Sequence, residues 1–325
     1  MTSVCVAVID PFHPRIIDTI RAAVPDGWSL AIAEEQTLQS RAAVLNKADV
    51  AVVMATPMPA ELLRSGKKLS FIQKLGIGVD RIDIGYCEKN GIAVARLQGG
   101  NAIPVAEHTV MLILAAYRRL PVLDRQTRAG AWDKETVRGV NRHLFGKTVG
   151  IVGFGAIGRR VARLLAPFEV SIVYYDPARA PENVEQELEA RYLPLDDLVA
   201  EADVVSLHLP LLKETAGLID AGRIRAMKPG ALLVNCARGG LVDEAALAEA
   251  LASGHLFGAA LDAFSEEPPL GNPLLAFDNT VITPHCAGAT IDNFARIMER
   301  AVHNARAFLA GDPLPEDDVV VGPSR

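Results

Sequence analysis

Three segments in the second half of the chain place polar side chains directly behind short apolar runs. Asn235-Cys236-Ala237-Arg238-Gly239-Gly240 follows ALLV, Asp262 to Pro269 (DAFSEEPP) follows GAAL, and Thr283-Pro284-His285-Cys286-Ala287-Gly288 follows VI. Such runs read as buried strands, and open α/β sheets bind ligands outside the carboxyl ends of their strands. Arg238 offers a planar fork for a carboxylate or a keto oxygen. His285 can exchange a proton near neutral pH, and a neighbouring carboxylate would favour its charged form. Glu266 and Glu267 are both placed to supply it, and spacing alone does not choose between them. With a hydride carrier bound, this set of side chains suits hydride transfer at a hydroxyl-bearing carbon beside a carboxylate.

The carrier has a place of its own. Lys147 to Asp176 opens with the apolar run Thr148 to Val152, continues through Gly153-Phe154-Gly155-Ala156-Ile157-Gly158, and then repeats Ile157, Val161, Leu164 and Leu165 at helical spacing. A second run, Val170 to Tyr175, ends in Asp176. Strand, glycines, helix, strand and acid occur in the order of a dinucleotide fingerprint. Gly153 permits the tight turn, Gly155 lets backbone approach a pyrophosphate, and Gly158 lets helix and strand pack closely. The helix N-terminus, with Ala156 and Ile157, favours the phosphate charge. Asp176 would accept from a ribose 2′-OH and repel a 2′-phosphate, by about 4 kcal/mol for unit charges 4 Å apart at an effective dielectric of 20. NAD is therefore expected rather than NADP, with Arg179 close enough in sequence to soften the choice.

Around these residues the chain alternates strand and helix signals. Strands are expected at Val4–Ile9, Ser29–Ala33, Val50–Ala55, Phe71–Leu75 and Ile92–Leu97, with short helices between them. This predicts a parallel sheet covered on both faces, and no second fingerprint occurs there. Pro104 to Leu120 reads as a helix apolar nearly all round, suited to a subunit interface or to burial between domains. Residues 121–145 look irregular, residues 292–310 form an amphipathic helix, and the acidic, proline-bearing tail from Gly311 reads as a loosely held surface segment. With 325 residues, 50% hydrophobic and 22% charged, the chain has room for two domains, and a net charge of −6 disfavours nucleic acid or anionic membrane. No apolar run reaches membrane-spanning length, the N-terminus lacks a basic leader, and the four cysteines have no metal spacing. A reduced, cytoplasmic, metal-free protein is expected.

On LGIGVDRIDI, NAIPVAEHTV, GKTVGIVGFGAIGRRVA, HLPLLKETAGLI, MKPGALLVNCARGGLVDEAAL, GAALDAFSEEPP and TPHCAGAT, the chain resembles the D-isomer-specific 2-hydroxyacid dehydrogenases. That family contains D-3-phosphoglycerate dehydrogenase, glyoxylate/hydroxypyruvate reductase and D-lactate dehydrogenase. The resemblance implies Arg238, Glu267 (the residue before the proline) and His285 as the catalytic set. It places Cys236, Ala237, Asp262, Gly288 and Val105 around the nicotinamide, and Leu209, Pro210 and Thr215 toward the adenosine side. Arg238 and His285 face both cofactor and substrate. Gly76, Ile77, Gly78 and Val79 would hold the substrate carboxylate through backbone N–H groups, a nest suited to an anion. Lys74 stands where many phosphoglycerate dehydrogenases carry arginine, so it can meet an anion as a point charge without the bidentate fork.

The implied architecture is α/β. A Rossmann-type doubly wound cofactor domain (residues 101–291) is inserted into a smaller flavodoxin-like substrate domain (1–100 and 292–325), with the two crossings serving as hinges. A homodimer is implied as well. The expected activity is NAD-dependent hydride transfer to or from C2 of a D-2-hydroxy acid, with 3-phosphoglycerate, glyoxylate or hydroxypyruvate as substrate. Two alternatives stand beside it, a dinucleotide-sensing corepressor-like protein and a phosphite-type dehydrogenase. Glu267, where formate enzymes carry glutamine, disfavours formate.

Overall fold

Runs such as CVAV and VAVV are apolar at every position, which suits strands covered on both faces. In the computed structural model, which describes residues 4–322, they form the middle of a parallel sheet. Two compact units divide the chain: Met1–Asn101 with Ala289–Arg325, and Ala102–Gly288. Residues 1–3 and 323–325 of the expected substrate domain lie outside the described residues.

The first unit begins with β1 (Cys5–Val8), α1 (Pro14–Ala23), β2 (Ser29–Ile32), α2 (Leu38–Leu45) and β3 (Val50–Val53). It continues with α3 (Ala60–Leu63), β4 (Phe71–Lys74), α4 (Ile84–Lys89) and β5 (Ala93–Ala95). The strands run parallel in the order β5-β4-β3-β1-β2, a flavodoxin-like order. Polar caps start the helices: Thr37 accepts from the Ser40 N–H at α2 and Asp83 from the Tyr86 N–H at α4, each worth about 1 kcal/mol.

The second unit opens with α5 (Ala102–Tyr117), α6 (Leu120–Arg128) and α7 (Glu135–Arg138). Then follow β6 (Thr148–Val152), α8 (Ala156–Leu165), β7 (Ser171–Tyr175), α9 (Glu182–Glu187), β8 (Ala190–Tyr192), α10 (Leu195–Glu201) and β9 (Val204–Leu207). It closes with α11 (Ala221–Ala226), β10 (Leu232–Asn235), α12 (Glu244–Ala252), β11 (Gly258–Leu261) and β12 (Thr280–Ile282). Seven parallel strands stand in the order β12-β11-β10-β9-β6-β7-β8, the doubly wound plan. Most of the apolar surface of α5 goes into this unit's own core, where Val105, Leu112, Ile113, Ala116 and Tyr117 pack with Val149, Ile151 and Val161. Residues 121–145 depart from expectation: α6 and α7 are helical but bury no side chain, and at nine and four residues they are too short for a repeating pattern to stand out.

The chain returns to the first unit through α13 (Ile291–Ala310) and β13 (Val319–Val321). Phe294, Ile297, Met298 and Ala301 of α13 pack on Val6, Val8, Val52 and Phe71 of the sheet. The expected loose tail is instead fastened. β13 pairs antiparallel with β5, and Asp318, fully buried, accepts from Arg300 Nη2 at 2.7 Å through both oxygens, from the Gln98 N–H at 2.8 Å and from Asn304 Nδ2 at 3.2 Å. An acidic cluster reads as solvated because its partners lie far away in sequence. Among the described residues, no helix is long and apolar enough to cross a membrane.

Candidate active site

The glycine turn joins β6 to α8. Gly153 has φ +98, and a Cβ there would lie 2.7 Å from the carbonyl carbon of His208. A Cβ on Gly158 would sit 2.1 Å from the Gly153 carbonyl oxygen, so helix and turn close on a bare Cα. Gly155, the N-cap of α8, is exposed with nothing within 4 Å of its Cβ position, and Ala156 beside it is exposed too. The result is an open helix N-terminus over an otherwise crowded turn, a fit for a pyrophosphate. Asp176, at the end of β7, accepts from the Phe154 N–H at 2.7 Å and from the Ala178 N–H at 3.0 Å. Arg179 is committed elsewhere, to both oxygens of Glu185 at 2.9 and 3.0 Å. Arg179 and the Tyr174 hydroxyl pull the Glu185 carboxyl down to about 2.

On the other side of the sheet, β10, β11 and β12 are neighbours in register, Asn235 opposite Leu261 and Leu261 opposite Ile282. Their carboxyl ends are therefore level, and the loops bearing Arg238, Glu267 and His285 leave the sheet side by side. Gly239 makes the first two loops touch: a Cβ there would lie 1.8 Å from the backbone carbon of Phe264. Asn235, buried, pins the Arg238 loop by donating to the Arg238 carbonyl at 2.8 Å and accepting from the Ala237 N–H at 3.0 Å. Arg238 Nη1 donates to the Ala237 carbonyl at 2.8 Å.

His285 Nδ1 lies 2.7 Å from Glu267 Oε1, which leaves Nε2 as the atom that can exchange a proton. The residue sits at φ +54, a left-handed conformation that costs a residue with a Cβ about 1–2 kcal/mol and persists only where the surroundings hold it. Asp262 holds that turn in place. Its carboxylate, 1% exposed, accepts from the Thr283 hydroxyl at 2.5 Å and from the Cys286 and Ala287 N–H groups at 2.9 Å each. His108 Nε2 backs Thr283 at 3.1 Å. Asp262 and His108 both brace the histidine turn. Their role in bracing the histidine turn depends on contacts across 21 and 175 residues, which no local pattern carries.

His108, Asp262 and Cys286 present ligand atoms within 4.8 Å of one another, but both Asp262 oxygens are already taken by the three hydrogen bonds above. Burial raises the Cys236 thiol to about 12 and also raises that of Cys286, so both stay protonated at neutral pH. Of the remaining residues expected to line a cofactor, Val105, Leu209, Thr215 and Cys236 are buried, Ala237 and Gly288 are half-buried, and Pro210 is exposed. Thr215 donates to the Pro210 carbonyl at 2.7 Å and fixes that loop. In the first unit, Gly76, Ile77, Gly78 and Val79 follow β4, and Lys74 Nζ donates to the Met54 carbonyl.

A doubly wound unit with an open glycine turn and an acid behind the second strand is a dinucleotide-binding unit. The family model of the D-isomer specific 2-hydroxyacid dehydrogenase NAD-binding domain matches residues 110–287. The chain is 42% identical over 268 residues to a glyoxylate reductase of Thermofilum pendens, covering 81% of this chain and 78% of that one. With a D-3-phosphoglycerate dehydrogenase of Archaeoglobus fulgidus it shares 39% over 287 residues, 88% of this chain and 53% of the other. It spans little more than half the length of the phosphoglycerate dehydrogenases that it matches. A D-lactate dehydrogenase of Aquifex aeolicus, solved with NAD and lactic acid, superposes with a TM-score of 0.82 at 33% identity, over 98% of this chain and all of that one. The chain belongs to the D-isomer specific 2-hydroxyacid dehydrogenase family, and its second unit is the family's NAD-binding domain.

Proposed function

We propose that the protein is an NAD-dependent oxidoreductase interconverting a D-2-hydroxy acid and its 2-keto acid, with 3-phosphoglycerate, glyoxylate or hydroxypyruvate as substrate. The observation that carries this reading is the carboxylate–imidazole pair, His285 Nδ1 to Glu267 Oε1 at 2.7 Å, on loops level with the one bearing Arg238. Gly153, Gly155, Ala156, Ile157 and Gly158 hold the pyrophosphate and Asp176 the ribose. Val105, Leu209, Pro210, Thr215, Cys236, Ala237, Asp262 and Gly288 line the rest of the cofactor. Bound there, the nicotinamide supplies or takes the hydride at C2.

The chain's own residues handle the anion and the proton. Arg238 orients the substrate carboxylate and polarises the keto oxygen. His285 donates its Nε2 proton to that oxygen in reduction and recovers it in oxidation, while Glu267 stabilises the charged ring. Gly76, Ile77, Gly78 and Val79, with Lys74 beside them, make the first unit the substrate domain. The protein works in the cytoplasm as a homodimer.

The test is a 2-keto-acid panel followed through NADH absorbance, on wild type and His285→Ala. Wild type is expected to reduce at least one of these acids. The variant should lose about 10²–10⁴ in kcat, or 3–5 kcal/mol of barrier, while still binding NADH by fluorescence titration. Full turnover by the variant would overturn the mechanism.

A further inference from the structure

In the first unit the chain moves from β1 to β2 in one direction and through β3, β4 and β5 in the other, so the winding reverses between β1 and β3. A crevice outside the carboxyl ends of such a pair is where open α/β sheets take ligands. The second unit reverses between β6 and β9, and its glycine turn lies there. At the corresponding place in the first unit is a crevice of about 320 Å³, bounded by the segments that follow β1 and β3 and by Gln36, Arg41 and Arg81. One water needs only about 10–15 Å³, so a small organic acid has room.

The charge of the lining points to an anion. Asp10, 6% exposed, is already saturated. It accepts from the Met54, Ala55 and Thr56 N–H groups at 2.6, 2.8 and 2.9 Å and from the Thr56 hydroxyl at 2.9 Å. It braces the loop after β3, and the lining sets two guanidinium groups, Arg41 and Arg81, against this one carboxylate. Arg41 Nε, on α2, is buried and makes no hydrogen bond among the described residues. A buried donor of this kind is stabilised by any acceptor that enters. The crevice is linked to the end of β4, because Met54 in its wall accepts from Lys74 Nζ.

We propose that this crevice is an anion-binding site of the first unit, in which Arg41, flanked by Arg81 and Gln36, receives the phosphate or carboxylate of a small acid. The anion is either the far end of a substrate whose own carboxylate lies at Gly76–Val79, or a separate effector. The first source rests on the function proposed above; the second does not.

Calorimetric titration of the whole protein with inorganic phosphate, for wild type, Arg41→Met and Arg41→Lys, tests the site. Millimolar binding is expected in wild type, at least tenfold weaker in Arg41→Met and intermediate in Arg41→Lys, which keeps the charge and loses the fork. Equal binding by wild type and Arg41→Met, or no binding by wild type, overturns the proposal. Gln36→Leu, expected to weaken phosphate severalfold, replaces Arg41→Met if that variant does not melt cooperatively. Kinetics then separate the sources. If the substrate supplies the anion, the kcat/KM ratio of a dianionic to a monoanionic 2-keto acid falls at least tenfold in Arg41→Met. If a separate anion does, that ratio holds and phosphate acts non-competitively, an effect lost in the variant. Phosphate binding that depends on Arg41 in a protein reducing no keto acid supports the site and counts against the proposed reaction.

Discussion

The contact between Glu267 and His285 resolves a choice that spacing leaves open, since Glu266 and Glu267 are adjacent and only one meets the imidazole. The same holds for Arg179, whose position near Asp176 suggests a softened cofactor preference. Its two hydrogen bonds to Glu185 would have to break before it could meet a 2′-phosphate. Asp176→Asn is therefore expected to lower the NADH-over-NADPH ratio of kcat/KM by one to three orders of magnitude, the upper end corresponding to about 4 kcal/mol of removed repulsion. An unchanged ratio would show that Asp176 does not read the ribose. His208 supplies a pH dependence of stability. It is half-buried as a residue, but its Nδ1 is enclosed without a hydrogen-bond partner among the described residues, and burial pushes the ring down to about 3 from an ordinary 6.5. Between those values the unfolded chain binds a proton that the native state refuses, so stability is complete above pH 6.5 and is lost as the pH falls toward 3. The slope for this group approaches about 1.4 kcal/mol per pH unit. Urea midpoints measured from pH 8 to pH 5 should fall, and the fall should shrink in His208→Gln; identical slopes would exclude the histidine.

At the scale of elements, the site depends on how strand ends are levelled and how loops approach. Parallel strands about 4.8 Å apart bring consecutive loops together only when their ends are in register, as β10, β11 and β12 are. Gly239 then allows the Arg238 loop to lie against Phe264 with no side chain between them. Gly239→Ala is expected to destabilise the protein by about 3 kcal/mol or more, because the added methyl meets backbone that cannot rotate away. It should also lower kcat/KM by at least tenfold in the fraction that folds. Thermal melting together with the keto-acid assay checks both, and a variant with wild-type melting and activity would refute the packing argument.

For the whole molecule, the segment from α5 to β6 leaves large apolar side chains in solvent: Met111 is 47% exposed, Leu120 56%, Phe145 62% and Trp132 78%. These are the side chains that the proposed homodimer is expected to cover. Light scattering should give twice the chain mass, and Met111→Asp with Trp132→Asp should give the monomer. A monomeric wild type would remove the dimer from the proposal.

What the amino-acid order determined by itself was everything that repeats with a period or sits within one turn. This includes most strands of the parallel sheets (β8 excepted), the fingerprint from β6 to Asp176, the apolar α5, and the arginine and histidine behind their strands. Such features depend on neighbours within a few residues, so pattern and spacing reveal them. Only the tertiary structure decided that Asp262 and His108 brace the left-handed turn of His285, that Asp318 fastens the tail through Arg300, and that Arg41 borders a crevice between β1 and β3. Each of these rests on groups that are distant along the chain and meet only when the sheet sets strand order and register. Hydrogen bonds and burial act through space, and a linear pattern holds no record of them.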